Sequence, residues 1–113
     1  MSKIDRINSE LMKQIALIIE RDIKHPSIDG IISVTGVDVT RDLSLARIRI
    51  SIINTDNPKE EIIDALNHSA GFIRKQLKTK INIRTIPQLI FNFDTNIEYA
   101  VKISKLIDEV NKD

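Results

Sequence analysis

The 113-residue chain has no cysteine and no tryptophan, and only one tyrosine, three phenylalanines, three glycines and three prolines. Without cysteine it forms neither disulfides nor thiolate metal sites, which suits a reducing cytoplasm. With so few glycines it has no Gly-rich phosphate loop and no nucleophile elbow. No apolar run approaches the ~18 residues that a membrane span needs. The start of the chain mixes Lys3, Asp5, Arg6 and Glu10 with isolated apolar side chains, so no signal peptide is expected. His25 and His68 fall on separate elements, with no carboxylate at ligand-like spacing from either. No metal site, no cofactor and no small-molecule substrate is therefore expected.

What is present is globular. Apolar residues make up 42% of the chain and charged residues 29%. A single domain over residues 1–113 should bury roughly two-thirds of its unfolded surface, enough for an independent core.

The charge is unevenly placed. Residues 65–92 contain five cations (Arg74, Lys75, Lys78, Lys80 and Arg84) and no Asp or Glu. The total is +1, so taking this segment as +5 leaves −4 for the rest of the chain. A near-neutral protein with its positive charge gathered this way has a footprint that attracts polyanions.

Periodicity places the segment. Ile4, Ile7, Leu11, Ile15, Ile18 and Ile19 form the stripe of a helix over residues 3–24, ended by the restriction that Pro26 imposes on His25. Gly30 supplies a turn. Residues 31–40 read as a strand. Its alternation slips across Gly36, through either a bulge or a strand apolar on one face throughout. A hairpin over residues 40–44 leads to a second strand with Ile48, Ile50 and Ile52 on one face and Arg47, Arg49 and Ser51 on the other. Asn57-Pro58-Lys59-Glu60 reads as a helix start, with Asn57 as N-cap.

Ile62, Leu66, Ala70, Ile73 and Leu77 continue one stripe past Gly71. A glycine there costs a helix interior ~1 kcal/mol, so a kink between two shorter helices is expected. Pro87 opens a strand carrying Leu89, Phe91 and Phe93. Thr95 to Glu98 has capping-box spacing, and Ala100, Ile103, Ile107 and Val110 stripe a last helix. The order is α-β-β-α-(kink)-α-β-α. This is an α+β class with a three-stranded sheet and helices on one face.

Lys75 and Lys78, with Arg74, sit just after the kink, where backbone N–H groups at a helix start can receive a phosphate. Their face lacks the acids that alternate with Lys on an ordinary solvated helix. Lys80 and Arg84 extend the patch. Arg47 and Arg49, and likewise Arg41, serve either solubility or a secondary RNA contact. Phe72, Phe91 and Phe93 are expected in the core, so recognition should lean on charge and shape. His68 is expected to cap a helix end.

Taken together, several stretches resemble the ribosome-binding factor A family over nearly the whole chain. They are Arg6-Ile7, His25-Pro26, Gly30, Ser33-Val34-Thr35-Gly36-Val37, Asp42-Leu43-Ser44-Leu45-Ala46, Gly71-Phe72-Ile73-Arg74, and the run from Arg84 through Phe91 to Asp94. The resemblance implies a type II KH-like fold in which a kink of Ala-x-Gly type replaces the usual Gly-x-x-Gly loop. Here the kink reads Ser69-Ala70-Gly71. The Ser69 hydroxyl is able to bond a carbonyl one turn back and alter the angle. It further implies a cytoplasmic, non-catalytic factor, expected to be monomeric, that binds the free small (30S) ribosomal subunit. There it would assist late maturation of 16S rRNA, chiefly in the cold. Two rivals stay open: a protein-interaction adaptor, and an enzyme built around Asp38 and Asp42.

Overall fold

Capping chemistry sets where the first helix begins. In the computed structural model, which describes residues 2–23 and 25–95, helix α1 (Lys3–Asp22) is preceded by Ser2. The Ser2 hydroxyl accepts the Asp5 N–H at 3.1 Å and the Asp5 carboxylate accepts the Ser2 N–H at 3.3 Å, a reciprocal capping box. The helix stops two residues short of the expected 24. Ile23 is already extended (φ −89, ψ 111), which turns its side chain onto the core.

The sheet is ordered β1 (Ile31–Val39), β2 (Leu45–Ile53), β3 (Gln88–Phe93). β1 and β2 pair antiparallel, β2 and β3 parallel. Strand β2 is central, and its period-2 pattern is sharply resolved. Ala46, Ile48 and Ile50 are 0% exposed and Ile52 is 2%, while Arg47 between them is exposed.

The slip in β1 is a bulge: Val34 opposes Ile50, Gly36 opposes Arg49, and Thr35 is the extra residue. That insertion lets both Val34 and Val37 reach the buried face. The Thr35 hydroxyl also donates to the buried carboxylate of Asp94 at 2.6 Å.

Helices α1, α2 (Lys59–His68) and α3 (Ala70–Lys80) share one core with the inward residues of all three strands. α1 lies on β1, whereas α2 and α3 lie on β3. Two asparagines tie helices to sheet edges. The Asn8 side chain accepts the Val39 N–H at 3.0 Å. Asn67 accepts the Phe91 N–H at 2.9 Å and donates to its carbonyl at 3.2 Å, as a fourth strand would. The last helix expected from Ala100 to Val110, the capping box beyond Thr95, and Tyr99 lie outside the described residues.

Asn57 does not cap α2. The helix starts at Lys59 behind Pro58, with no side-chain cap bond. The Asn57 amide instead donates to Asp29 at 3.1 Å, and its N–H goes to the Thr55 hydroxyl. Asp29 gathers this loop, accepting also from the Thr55 hydroxyl and from the Asp56 N–H at 2.9 Å. Beside it Gly30 has φ +79, and a β-carbon there would collide with the Ile53 and Asn54 carbonyls, so only glycine fits.

The Thr55 hydroxyl is the main cause that holds the Asp29 carboxyl below its ordinary 3.8, with the Asp56 N–H next. A depressed carboxylate stabilises the fold above the unfolded value, and that contribution is lost as pH falls through the folded value. Asp29→Asn should therefore melt earlier than wild type at pH 7, with the gap closing as pH drops below 3.8. Phe91→Ala, emptying a fully buried site, should cost about 3–5 kcal/mol in denaturant unfolding.

Candidate nucleic-acid interface

The junction between α2 and α3 is a single residue. Ser69 lies outside both helices with φ −85 and ψ −1. Its hydroxyl donates to the Ala65 carbonyl at 2.9 Å, the bond one turn back that serine makes possible where alanine cannot. The break thus falls two residues before Gly71. Gly71 itself is helical and exposed, and a β-carbon there would meet nothing within 4 Å. Its contribution to the surface is open space.

Helix α3 begins without a side-chain cap and without an acid in its first turn. Backbone N–H groups at the junction donate to the Ala65, Leu66 and Asn67 carbonyls of α2, so the start of α3 is tied to the helix before it. Ile73 and Leu77 face the core at 0% exposure. At about 100° per residue, Gly71, Lys75 and Lys78 form a contiguous solvent-facing stripe. Lys75 and Lys78 are exposed, and among the described residues neither has a carboxylate partner.

The other expected cations divide. Arg74 is half-buried, and its guanidinium is committed: Nε donates to the Pro87 carbonyl and Nη2 to the Ile86 carbonyl, both at 3.0 Å. It latches the segment entering β3 onto α3. Lys80 lies about 140° around the helix from Lys75, over a shallow concavity of about 290 Å³ that it shares with Arg6 and Glu10 of α1. Arg84 is exposed in the connection to β3. The five cations are therefore not one ridge. Lys75 and Lys78 share the outward stripe of α3, Lys80 lies further round the helix, Arg84 is exposed in the connection to β3 and Arg74 is largely structural.

Arg47 and Arg49 stand on the sheet face that no described helix covers. Arg49 is paired with Asp38 at 3.6 Å. Arg41 is exposed at the hairpin, whose Leu43 takes φ 60.

Phe72 departs from expectation. Phe91 is fully buried and Phe93 packs against the core, but Phe72 is 43% exposed. One residue from Ile73 is a 100° step, enough to carry it off the buried stripe. The His68 ring caps the end of α2 as expected, on the Asp64 carbonyl at 2.9 Å.

The acidic pair of the enzyme reading is not assembled. Asp38 faces Arg49. Asp42 is absorbed by the hairpin, where the Ser44 and Thr40 hydroxyls and the Ser44 N–H hold its carboxyl below the ordinary range. Among the described residues no group of three or more His, Cys, Asp or Glu could hold a metal ion. No described helix is long and apolar enough to cross a membrane. A groove of about 670 Å³ between α1 and β1 is lined by apolar side chains such as Ile19, Ile23, Ile28 and Ile32, with Glu20 the one ionisable residue among the described lining residues.

A mixed three-stranded sheet with a broken helix pair across one face, in the order α-β-β-α-α-β, defines a KH-like α+β domain. The comparisons name the family. The ribosome-binding factor A family model matches residues 3–107. The ribosome-binding factor A of Stutzerimonas stutzeri is 44% identical over 110 residues, covering 95% of this chain and 84% of that one. That of Clostridium botulinum strain Loch Maree is 39% identical over 107 residues, covering 95% and 89%. The crystal structure of Thermus thermophilus ribosome-binding factor A superposes with a TM-score of 0.70 at 17% identity, over 81% of this chain and 97% of that one. A second Thermus thermophilus model, fitted into a cryo-EM map of a 30S–RbfA complex, gives 0.63 at 19%, over 75% and 88%. The chain belongs to the ribosome-binding factor A family.

The division of labour within the site has a direct check. Arg74→Ala leaves two carbonyls without donors and should cost roughly 1–3 kcal/mol, whereas Lys75→Ala should stay within about 0.5 kcal/mol of wild type in the same denaturant titration.

Proposed function

We propose that this protein binds the free small ribosomal subunit by gripping 16S rRNA phosphates with the solvent face of α3. The observation that carries this reading is the solvent stripe of α3, where Lys75 and Lys78 follow an acid-free first turn with no carboxylate partner among the described residues. Phosphate oxygens accept from ammonium groups, and the contact releases the counterions of the RNA backbone. The open space at Gly71 lets a backbone phosphate approach closely. Family membership supports the choice of partner, as does a Thermus relative fitted into a map of a 30S complex.

In this reading the protein is a non-catalytic assembly factor. It acts in the cytoplasm as a monomeric single domain over residues 1–113 and takes no cofactor. It assists late 16S rRNA maturation and matters most in the cold. Arg84 and Lys80 extend the footprint at its edges, and Arg47 and Arg49 add a second contact. Arg74 contributes chiefly by holding α3 and β3 in register. The Ser69-Ala70-Gly71 kink sets the direction of α3 and with it of Lys75 and Lys78.

Contacts of this kind release counterions, so neutralising about five phosphates gives a log–log salt slope near −4. The double variant Lys75→Glu, Lys78→Glu should keep the wild-type melting curve and lose cosedimentation with free small subunits at physiological salt. A double variant that still cosediments normally would remove α3 as the site. Ribonuclease treatment of a pull-down discriminates the adaptor reading, in which the partner would survive digestion.

A further inference from the structure

Gly36 and Arg49 are register partners across the bulge on the open face of the sheet. A β-carbon built on Gly36 would meet Nη2, Cζ and Nε of Arg49 as its three nearest heavy atoms, in every case too close for a real side chain. Three consecutive guanidinium atoms around one point mean that the group lies flat across the glycine, one face against the backbone. Asp38 holds its rim, with Oδ2 3.6 Å from Nη2. Nε is buried there with no hydrogen-bond partner. A buried donor left unpaired opposes this conformation, so a lone solubility arginine would be better served by extending into water. The side chain nevertheless stays 41% exposed. With the inner face on Gly36 and Nε covered, the outer face and tip are what solvent sees.

The surroundings extend the plane. Asn92 of β3 is the register partner of Arg49, and Ile90 that of Arg47. Arg47 and Asn92 are exposed, and Ile90 is an apolar side chain left 41% exposed in mid-strand. The result is a flat guanidinium with an amide on one side, an aliphatic surface near it and a second cation next along the same strand face.

We propose that this platform binds an unpaired RNA nucleobase, stacked on the outer face of the Arg49 guanidinium, with Arg47 meeting a flanking phosphate. A guanidinium plane stacks on bases as an aromatic ring does and adds a charge that the ribose-phosphate chain favours. Gly36 supplies the seat, and the Asp38 carboxylate lies 3.6 Å from Nη2 at its edge. The arginine's rotamer freedom is thus surrendered before binding, which lowers the cost of association. The site lies on the face opposite α3, so the protein would hold phosphates on one side and a single strand on the other. This deepens the RNA-binding reading above by naming single-stranded nucleotides as the ligand of the sheet face, and it rests on that reading.

The test uses a single-stranded RNA decamer containing one 2-aminopurine, titrated with the full chain while fluorescence is followed. Wild type should quench the probe. Arg49→Lys keeps the charge and loses the plane. Gly36→Ala keeps the arginine and evicts it from its seat, at little cost because every atom in the way belongs to a flexible side chain. Each variant should weaken binding about tenfold or more while the wild-type salt slope is retained. Lys75→Glu, Lys78→Glu should do the reverse, flattening the slope while quenching at saturation persists. A decamer abasic at the probe position should bind wild type and Arg49→Lys equally. Arg49→Lys binding the probe as wild type does, or a wild type that never quenches, would overturn the platform. Either result would leave the α3 site to be judged separately by cosedimentation. If Gly36→Ala loses its fold by circular dichroism, Arg49→Lys alone decides.

Discussion

One-sided burial of strand β2 is the constraint on which the rest of this molecule depends. Ala46, Ile48, Ile50 and Ile52 are sealed at 0–2% exposure, while the residues between them face away from every described helix. Three strands cannot wrap around a core of their own, so α1, α2 and α3 must all lie on that apolar side. No described helix covers the opposite side, which carries Arg47, Arg49 and Asn92.

The one-sided arrangement needs its edges managed, and the helices do this with polar side chains. Asn8 satisfies the rim of β1, Asn67 occupies both backbone groups of Phe91, and Arg74 takes two carbonyls just before β3. Each bond fixes a helix along the sheet as well as toward it, a restraint that apolar contact alone does not supply. The break at Ser69 belongs with these. Asn67 sits on one side of it and Arg74 on the other, so α2 and α3 are hooked to the same strand through different residues. The bend between them satisfies both attachments, and it frees the start of α3 to face solvent.

Function follows from what this leaves over. Of the cations clustered in the sequence, one is consumed in holding the fold, and Lys75 and Lys78 on the outer stripe of α3 have no carboxylate partner among the described residues. On the other face, the bulge that lets both Val34 and Val37 reach the core also brings Gly36 opposite Arg49. A packing requirement on the buried side thereby shapes the exposed one.

The elements themselves were legible in the chain because their signals are local. Periodicities of 3.6 and 2, the irregular alternation around Gly36, the short hairpin and the unbalanced cations of residues 65–92 all survive in one dimension, and the family resemblance is carried by short motifs in order. What the tertiary structure alone decided is how each polar or borderline side chain is spent. Nothing in the sequence distinguishes Arg74, bound to two carbonyls, from Lys75, which is exposed. Nothing there assigns Asn57 to Asp29 instead of to a helix cap, turns Phe72 outward beside a buried Ile73, or lays Arg49 across Gly36. Those outcomes depend on partners a dozen or more residues away, whose proximity is created only when the sheet and helices close on the β2 isoleucines.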